Sequence, residues 1–216
     1  LAKKIGSIKI IPILVDEGIL GYRNKAILKA KALCKQLGLD LKIVSYKENF
    51  GLTLDSTLKK RDEKKLGFKA CSVCGVFRKS SLNKAARLVS ATKLAVGHNA
   101  DDIAQTFFLN LMRSDVKRLK KIGADTGEIE QDLFVKRIKP LIYNTERECA
   151  LYCELKKLPF YLGSCPYSGE AFRGMVKDFL NMAEEKHPVT KFAVLNSFLE
   201  LQKTLDASEK KTAGTC

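Results

Sequence analysis

Two cysteines separated by two residues, in Cys71-Ser-Val-Cys74-Gly75, are the sharpest chemical signal in this chain. Thiolates at that spacing can grip one metal, and Gly75 would let the backbone turn tightly around it. The pair is expected just before a helix, whose first N–H groups favour thiolate over thiol. Alone, it fits half a zinc site, a redox couple or part of an iron–sulfur site. No second C-x-x-C is present, so a four-thiolate structural zinc site lacks its obvious other half. Cys165 stands in Gly163-Ser164-Cys165-Pro166-Tyr167. Proline fixes the backbone beside that thiolate, a setting that suits a cluster ligand as well as a purely structural cysteine. Cys149 and Cys153 share a helix face at i, i+4; their neighbours Leu151 and Tyr152 point to an ordinary buried face, and Cys34 to core.

The second signal is Gly97-His98-Asn99-Ala100-Asp101-Asp102. It joins an expected strand end to a helix start, where open α/β sheets bind their ligands. Gly97 permits close backbone approach, and a helix N-terminus attracts phosphate oxygens. Two adjacent carboxylates would repel a phosphate unless Mg²⁺ intervened, which implies a metal-nucleotide or an acid–base role. Simple N-capping by Asn99 and Asp101 is the plainer alternative. Asp16-Glu17-Gly18-Ile19 ends the first strand at the same edge and would close the crevice if the sheet is parallel. Basic residues lie near these motifs, among them Arg78, Lys79, Arg113, Lys117, Arg118, Lys120, Lys121, Lys136, Arg137, Lys139 and Arg173. They fit phosphate contacts from a long polyanion, or a solvated face.

The elements that must position these residues alternate. An apolar run over 7–16 reads as a strand buried on both faces, with Pro12 weakening its central placement. Residues 22–37 carry apolar positions at helical spacing and close on Gly38. A strand over 39–45, a short helix over 81–89, a strand over 93–96 and a helix over 100–112 follow. This is the order of a parallel sheet covered by helices. Thr145 and Glu148 form a capping box opening a helix to about residue 157. Residues 172–185 read as another helix, and Pro188 begins a last one to about residue 205. The polar stretch 206–214 reads as a linker.

Composition bounds the function. The 216 residues suit one domain, and 45% apolar against 29% charged residues permits a full core. No apolar run approaches the ~18 residues of a membrane span, and no leader with a cleavage site is visible. Lys and Arg number 39 against 24 Asp and Glu, a net charge of +15 that favours polyanionic partners such as nucleic acid. With no Trp and six Tyr, single-strand stacking is not the main device. Seven cysteines without a secretory signal point to a reducing compartment and to metal or sulfur chemistry. Only two histidines exclude a His-rich metal centre.

Taken together, CSVCGVFRK, GHNADDIAQT, the RIKPL segment and CPYSGEAFR resemble the tRNA 2-thiouridine synthetase family, the archaeal and eukaryotic-cytosolic tRNA uridine thiolases. Four motifs occur in the family's order across most of the chain. The resemblance implies an α/β fold of N-type ATP-pyrophosphatase design, with a Rossmann-like parallel sheet flanked by helices and C-terminal helices. It implies a 4Fe–4S cluster held by Cys71, Cys74 and Cys165, leaving one iron open. Asp102 matches the family's catalytic aspartate, Gly97 a nucleotide-contacting glycine, with His98 and Asp101 in the same motif. Arg78 falls where relatives carry a basic residue near the ATP phosphates, and Ile19 matches the segment beside the adenine. In the implied reaction Mg-ATP adenylates the uracil C2 oxygen, pyrophosphate leaves and sulfur displaces AMP. The sulfur passes by the open iron, from a ubiquitin-like thiocarboxylate or from inorganic sulfide.

The chain departs from the family in two places. The SGGKDS phosphate loop would lie just upstream of Leu1, and of the zinc ribbons only Cys216 could begin one. We therefore expect an N-terminally truncated catalytic domain over 1–205 and a tail over 206–216 leading to a truncated ribbon, with weak ATP binding and no turnover in this stretch alone. Partners implied are tRNA and a second copy of the chain, in the cytoplasm and without a membrane. The rival readings are a 2-thiocytidine synthetase, which pairs two C-x-x-C motifs, a lysidine-forming relative, which lacks the motif altogether, and a zinc-stabilised RNA-binding module without catalysis.

Overall fold

A computed structural model describes residues 8–119, 134–170 and 172–213; side chains are described as far as residue 204, that of residue 117 excepted. The chain divides into two units, one of Leu1–Ala91 with Tyr152–Ala171 and one of Thr92–Leu151 with Phe172–Cys216.

In the first unit, strand β1 (Ile13–Asp16) begins immediately after Pro12, which has no N–H to donate and joins the next strand only through its carbonyl, accepting from the Lys42 N–H at 2.9 Å. The strand is thus shorter than the apolar run that announces it. Helix α1 (Arg23–Leu37) follows and ends, as expected, on Gly38 in the left-handed conformation, φ 62°. Strand β2 (Lys42–Ser45) pairs parallel to β1, with Ile13 opposite Lys42 and Asp16 opposite Ser45. Capping boxes at Ser45/Glu48 and Thr53/Ser56 open α2 (Tyr46–Phe50) and α3 (Leu54–Glu63). Helix α4 runs from Ala70 to Leu88, 19 residues. The core gathers Val15, Ile19, Tyr46, Leu54, Leu58 and Ala70. Tyr46 meets Phe50 and Phe77 edge-on, and those two rings stack with centroids 4.4 Å apart.

The second unit holds β3 (Leu94–Ala95), paired parallel to β4 (Arg137–Ile138) within the RIKPL segment. Around them stand α5 (Ala100–Leu111), α6 (Val116–Leu119), α8 (Arg173–Lys186) and α9 (Thr190–Ala213). Helix α7 (Glu146–Leu155) starts in this unit on the expected Thr145/Glu148 capping box. Two apolar clusters pack α5 against α8 and α9: Ala100, Ile103, Leu195 and Phe198 in one, Ala104, Leu109, Val176 and Leu180 in the other. Parallel strand pairs flanked by helices agree with the α/β class.

Three expectations are corrected. The C-x-x-C does not precede a helix: Cys71 and Cys74 lie in the first turns of α4, and Gly75 is helical with open space where a Cβ would stand. Gly75 therefore makes no tight turn. The last helix continues to Ala213, because Ala207 to Ala213 contain neither glycine nor proline to stop it. Helix α7 has no buried residue, so Cys149 and Cys153 are half-buried rather than core, whereas Cys34 is buried as expected. Lys120, Lys121 and Cys216, and the side chain of Lys117, lie outside the described residues. No helix among those described is long and apolar enough to cross a membrane.

Candidate functional site

The turn after β1 places the first functional group. Asp16 Oδ1 accepts from the Gly18 N–H at 2.9 Å, and Gly18 adopts φ 68°. A Cβ at Gly18 would stand 2.6 Å from the Thr53 side chain, so only glycine allows this turn. The turn drives Glu17 inward, where its side chain is fully buried. Its Oε1 meets Arg78 Nη2 at 2.7 Å and Nε at 3.0 Å. Its Oε2 stands 2.6 Å from Arg23 Nε, whose N–H is directed to the Val15 carbonyl instead, leaving an ionic contact without an aligned hydrogen bond. Two guanidinium groups thus balance one buried carboxylate. Burial is the largest single influence on Arg78 and opposes its charge, but Glu17, Cys74 and Tyr46 together outweigh it and raise the arginine's pKa.

Helix α4 carries Cys74 one turn before Arg78, on the same face. Arg78 Nη2 donates to Cys74 Sγ at 3.6 Å, and the Tyr46 hydroxyl donates to the Cys74 carbonyl at 2.7 Å while lying 3.4 Å from its sulfur. Burial, followed by the contact with Cys74, raises the pKa of Tyr46 far above its ordinary value, so it remains a phenol. Cys71 is exposed and its thiol points to the Tyr167 carbonyl at 4.0 Å. Local crowding raises the pKa of Cys71, and the charges of Cys165 and Cys74 add to it. Cys71 therefore lies within electrostatic reach of both Cys165 and Cys74, those two pack against the same core cluster, and each of the three is a free thiol.

The Cys165 segment is braced separately. Ser168 donates to the Cys165 carbonyl through its N–H, 2.9 Å, and hydroxyl, 2.7 Å. Tyr167 hydrogen-bonds Asp55 at 2.8 Å, and Glu170 accepts from Arg61 at 2.9 Å and from the Ala70 N–H at 3.0 Å. Glu170 so ties the start of α4 to the segment bearing Cys165. The end of the Tyr161 ring lies 2.1 Å from where a Cβ of Gly163 would stand, so a larger residue there would have to displace that ring. Among the described residues no three His, Cys, Asp or Glu side chains converge tightly enough to hold a single metal ion. A cubane of iron and sulfide is larger than one ion and spreads its thiolate ligands further apart. Three free cysteines with an arginine and a phenol beside one of them form a donor set that suits such a cluster.

The carboxylate motif in the second unit resolves into two different residues. Asp101 is 3% exposed, and its oxygens take the Glu146 N–H at 2.7 Å and Lys191 Nζ at 2.5 Å. It caps α7 and is neutralised by α9. Asp102 forms the capping box with Asn99, at 3.0 and 3.2 Å, and lies 3.7 Å from Arg173 with about a third of its side chain accessible. The N-cap reading thus holds for Asn99, with Asp102 rather than Asp101 as its partner. Arg173 also donates to Gln105 at 3.2 Å and Thr106 at 3.0 Å, which sets its guanidinium over the first turns of α5. Gly97 is exposed with open space around it, suited to close approach by a ligand. His98 is at the surface, yet the protein atoms around its ring lower its pKa. Asp102 opposes that shift, while Lys139, Arg173 and Arg137 reinforce it. His98 is therefore neutral at neutral pH.

Ile19 is buried in the first unit's core, so any nucleotide contact there would run through its backbone. A cavity of about 480 Å³ opens on β1 and α1, with Arg23 and Arg78 among its lining. Sequence reasoning missed Glu17, Tyr46 and Glu170 as site residues. A carboxylate between a buried strand and a glycine was a signal for Glu17, and Glu170 lies within the CPYSGEAFR motif; nothing in the local sequence singles out Tyr46.

No protein-family model matches the chain. It is 39% identical over 211 residues to a probable sulfurtransferase of Methanocaldococcus jannaschii, covering 97% of this chain and 61% of that protein. It is 37% identical to cytoplasmic tRNA 2-thiolation protein 1 of Danio rerio, covering 97% and 60%. With tRNA 2-thiolation protein NcsA of Haloferax volcanii the identity is 36%, covering 96% and 65%. Among solved structures, the U34-tRNA thiolase NcsA of Methanococcus maripaludis with its 4Fe–4S cluster superposes with a TM-score of 0.78 at 34% identity, over 93% of this chain and 65% of that one. The chain spans about three-fifths of the length of the curated relatives it matches most fully.

Proposed function

Because the chain belongs to the tRNA 2-thiolation protein family over the length it spans, we propose that the intact protein is a cytoplasmic, ATP-dependent tRNA uridine 2-thiolase. The observation that carries this reading is the grouping of three free cysteines in one unit, with Cys71 in electrostatic reach of both others and Cys74 and Cys165 packed against the same core cluster. These three would hold a 4Fe–4S cluster, which when bound supplies an iron without a protein ligand where sulfur is taken up. The wobble uridine is the target in this reading, as the Methanococcus maripaludis thiolase's name has it for that protein.

The chemistry demands activation first. The uracil C2 oxygen is a poor leaving group; joined to the α-phosphate of ATP it leaves as part of AMP, with pyrophosphate already released. Sulfur then takes its place on C2. Asp102 has the one accessible carboxylate in its motif, at the N-terminal turn of α5, and there it orients Mg-ATP or accepts a proton. Gly97 admits the nucleotide to the backbone, and neutral His98 leaves the local charge to Asp102 and the cations. Asp101 acts only as scaffold, since both its oxygens are taken. Ile19 meets the adenine through its backbone. The +15 charge draws in tRNA. Sulfur comes from a ubiquitin-like thiocarboxylate or from sulfide, the protein pairs as a homodimer, and zinc ribbons belong to the intact chain.

Metal analysis of the intact protein purified without oxygen tests this reading. About four irons and four sulfides per chain, lost in Cys71→Ser and in Cys165→Ser, are expected. Zinc alone, or no metal, would leave the cluster without support and favour a non-catalytic RNA-binding module.

A further inference from the structure

Arg78 matches the family position associated with ATP phosphates, yet in this structure its guanidinium is occupied elsewhere. Both Nε and Nη2 reach Glu17 Oε1, at 3.0 and 2.7 Å, and the remaining hydrogen of Nη2 reaches Cys74 Sγ at 3.6 Å. Glu17 cannot follow a moving arginine. It is fully buried, its carbonyl accepts the Leu54 N–H at 2.7 Å, and the Gly18 turn is locked against Thr53. The guanidinium fork engages the carboxylate through two nitrogens while Nη2 also reaches the sulfur; a lysine ammonium would have to serve both acceptors from one nitrogen on a differently shaped stem. From the opposite chain segment Tyr46 brings its hydroxyl to 3.4 Å from the same sulfur, its ring held edge-on by Phe50 and Phe77.

We propose that Arg78 and Tyr46 are positioning residues for Cys74, and that buried Glu17 holds the Arg78 guanidinium toward the cysteine sulfur rather than toward a nucleotide. This rests on the reading of Cys74 as a cluster ligand. In the thiol, Tyr46 gives its one proton to the Cys74 carbonyl. A metal-bound thiolate has no proton of its own, so Tyr46 serves it by turning its one proton from the carbonyl to the sulfur, while Arg78 donates from where it already stands. Donors to a ligand sulfur stabilise the more negative, reduced state of a cluster more than the oxidised state, and so raise its reduction potential. Cys71 and Cys165 have no comparable donor among the contacts described for them. The cluster's charge is therefore drawn toward the Cys74 corner.

The test compares the intact protein, purified without oxygen, with Tyr46→Phe and Arg78→Lys, following iron and sulfide content, the reduction midpoint by spin-resonance titration, and ATP affinity by calorimetry. The expected result is a retained cluster in both variants. Each should show a reduction equilibrium about tenfold less favourable, which is about 59 mV for one electron, with ATP affinity in Arg78→Lys within about twofold of wild type. Tyr46→Phe keeps its ring packing and so remains decisive if Arg78→Lys is poorly folded. Unmoved midpoints with the cluster present, even if both variants melt earlier, would reduce the two residues to structural roles and overturn the proposal. A tenfold loss of ATP affinity in Arg78→Lys at an unmoved midpoint would overturn it too, returning Arg78 to the phosphates. An iron-free wild type would fail the thiolase reading itself, and is told apart from the other outcomes by the metal count.

Discussion

The two units use a buried carboxylate for opposite ends. In the cysteine-bearing unit Glu17 faces two arginines and, through one of them, a sulfur expected to do chemistry. In the second unit Asp101 is as deeply buried, but both its oxygens serve the frame: the first N–H of α7 and Lys191 of α9. Its neighbour Asp102 is left to solvent and to Arg173. Successive helical residues point about 100° apart, so one of the two adjacent aspartates must turn inward when α5 packs on α9. Buried charge alone therefore does not mark a reactive group; what faces it does.

The largest effect that would sharpen this contrast belongs to the apolar frame of the second unit. Phe198 is almost fully buried against Phe107 and the Ala100–Ile103 cluster. Phe198→Ala should cost about 3–5 kcal/mol, read as a lower midpoint in a denaturant melt. A loss under about 1 kcal/mol would mean that α9 does not stabilise the unit by packing. Next in size are the buried acids themselves. Asp101→Ala leaves Lys191 Nζ with Asn181 as its one remaining partner among the described residues and frees the Glu146 N–H of α7, and should cost about 2–4 kcal/mol. Glu17→Ala should cost somewhat less, about 2–3 kcal/mol, because Arg78 is half exposed and can rehydrate. Equal stability of either variant with wild type would break the comparison.

Asp102→Asn should lower stability by about 1 kcal/mol or less, since asparagine still accepts the Asn99 N–H. If Asp102 is the working carboxylate, thiolation of tRNA by the intact protein should nevertheless fall at least about 100-fold, measured as thiolated product on a mercury-retardation gel. Full activity in this variant would reassign the motif to capping alone.

The smallest effects are those of pH. The Arg61 ion pair, with the Ala70 N–H, holds the Glu170 carboxyl below the usual carboxylate range. Its stabilisation is present above the unfolded value and is lost as pH falls through the folded one, so the melt should weaken on acidification below about 4.5, less so in Glu170→Gln. His98 acts earlier. Its folded pKa is depressed, so the unfolded chain takes up the proton more readily. Stability should therefore slip as pH falls below about 6.5 and level off beneath the folded pKa. In His98→Asn that first, shallow step should be missing.

Much of the frame was legible because its signals are local. Gly38 as a left-handed cap, the Thr145/Glu148 box and the apolar stripe of α5 each depend on residues within a turn or two of one another. Other elements misled for equally local reasons. The stretch after Leu205 looked like a linker because it is polar, yet helix propensity without a breaker carries α9 through it. The C-x-x-C looked like a loop because of Gly75, although its packing neighbours Ala70, Phe77 and Leu82 pull it into α4.

By itself the sequence determined the parallel α/β class, the caps that start and stop helices, and the identity of the sulfur and carboxylate candidates. All of these follow from residue type and short-range spacing. The tertiary structure alone decided that Asp101 is scaffold while Asp102 is accessible, that Glu170 ties the Cys165 segment to the start of α4, and that Glu17 meets Arg78 from 61 residues away and Tyr46 meets Cys74 from 28. Such convergence is set by how buried side chains share one interior, where each charge must find a partner, and spacing along the chain carries no record of it.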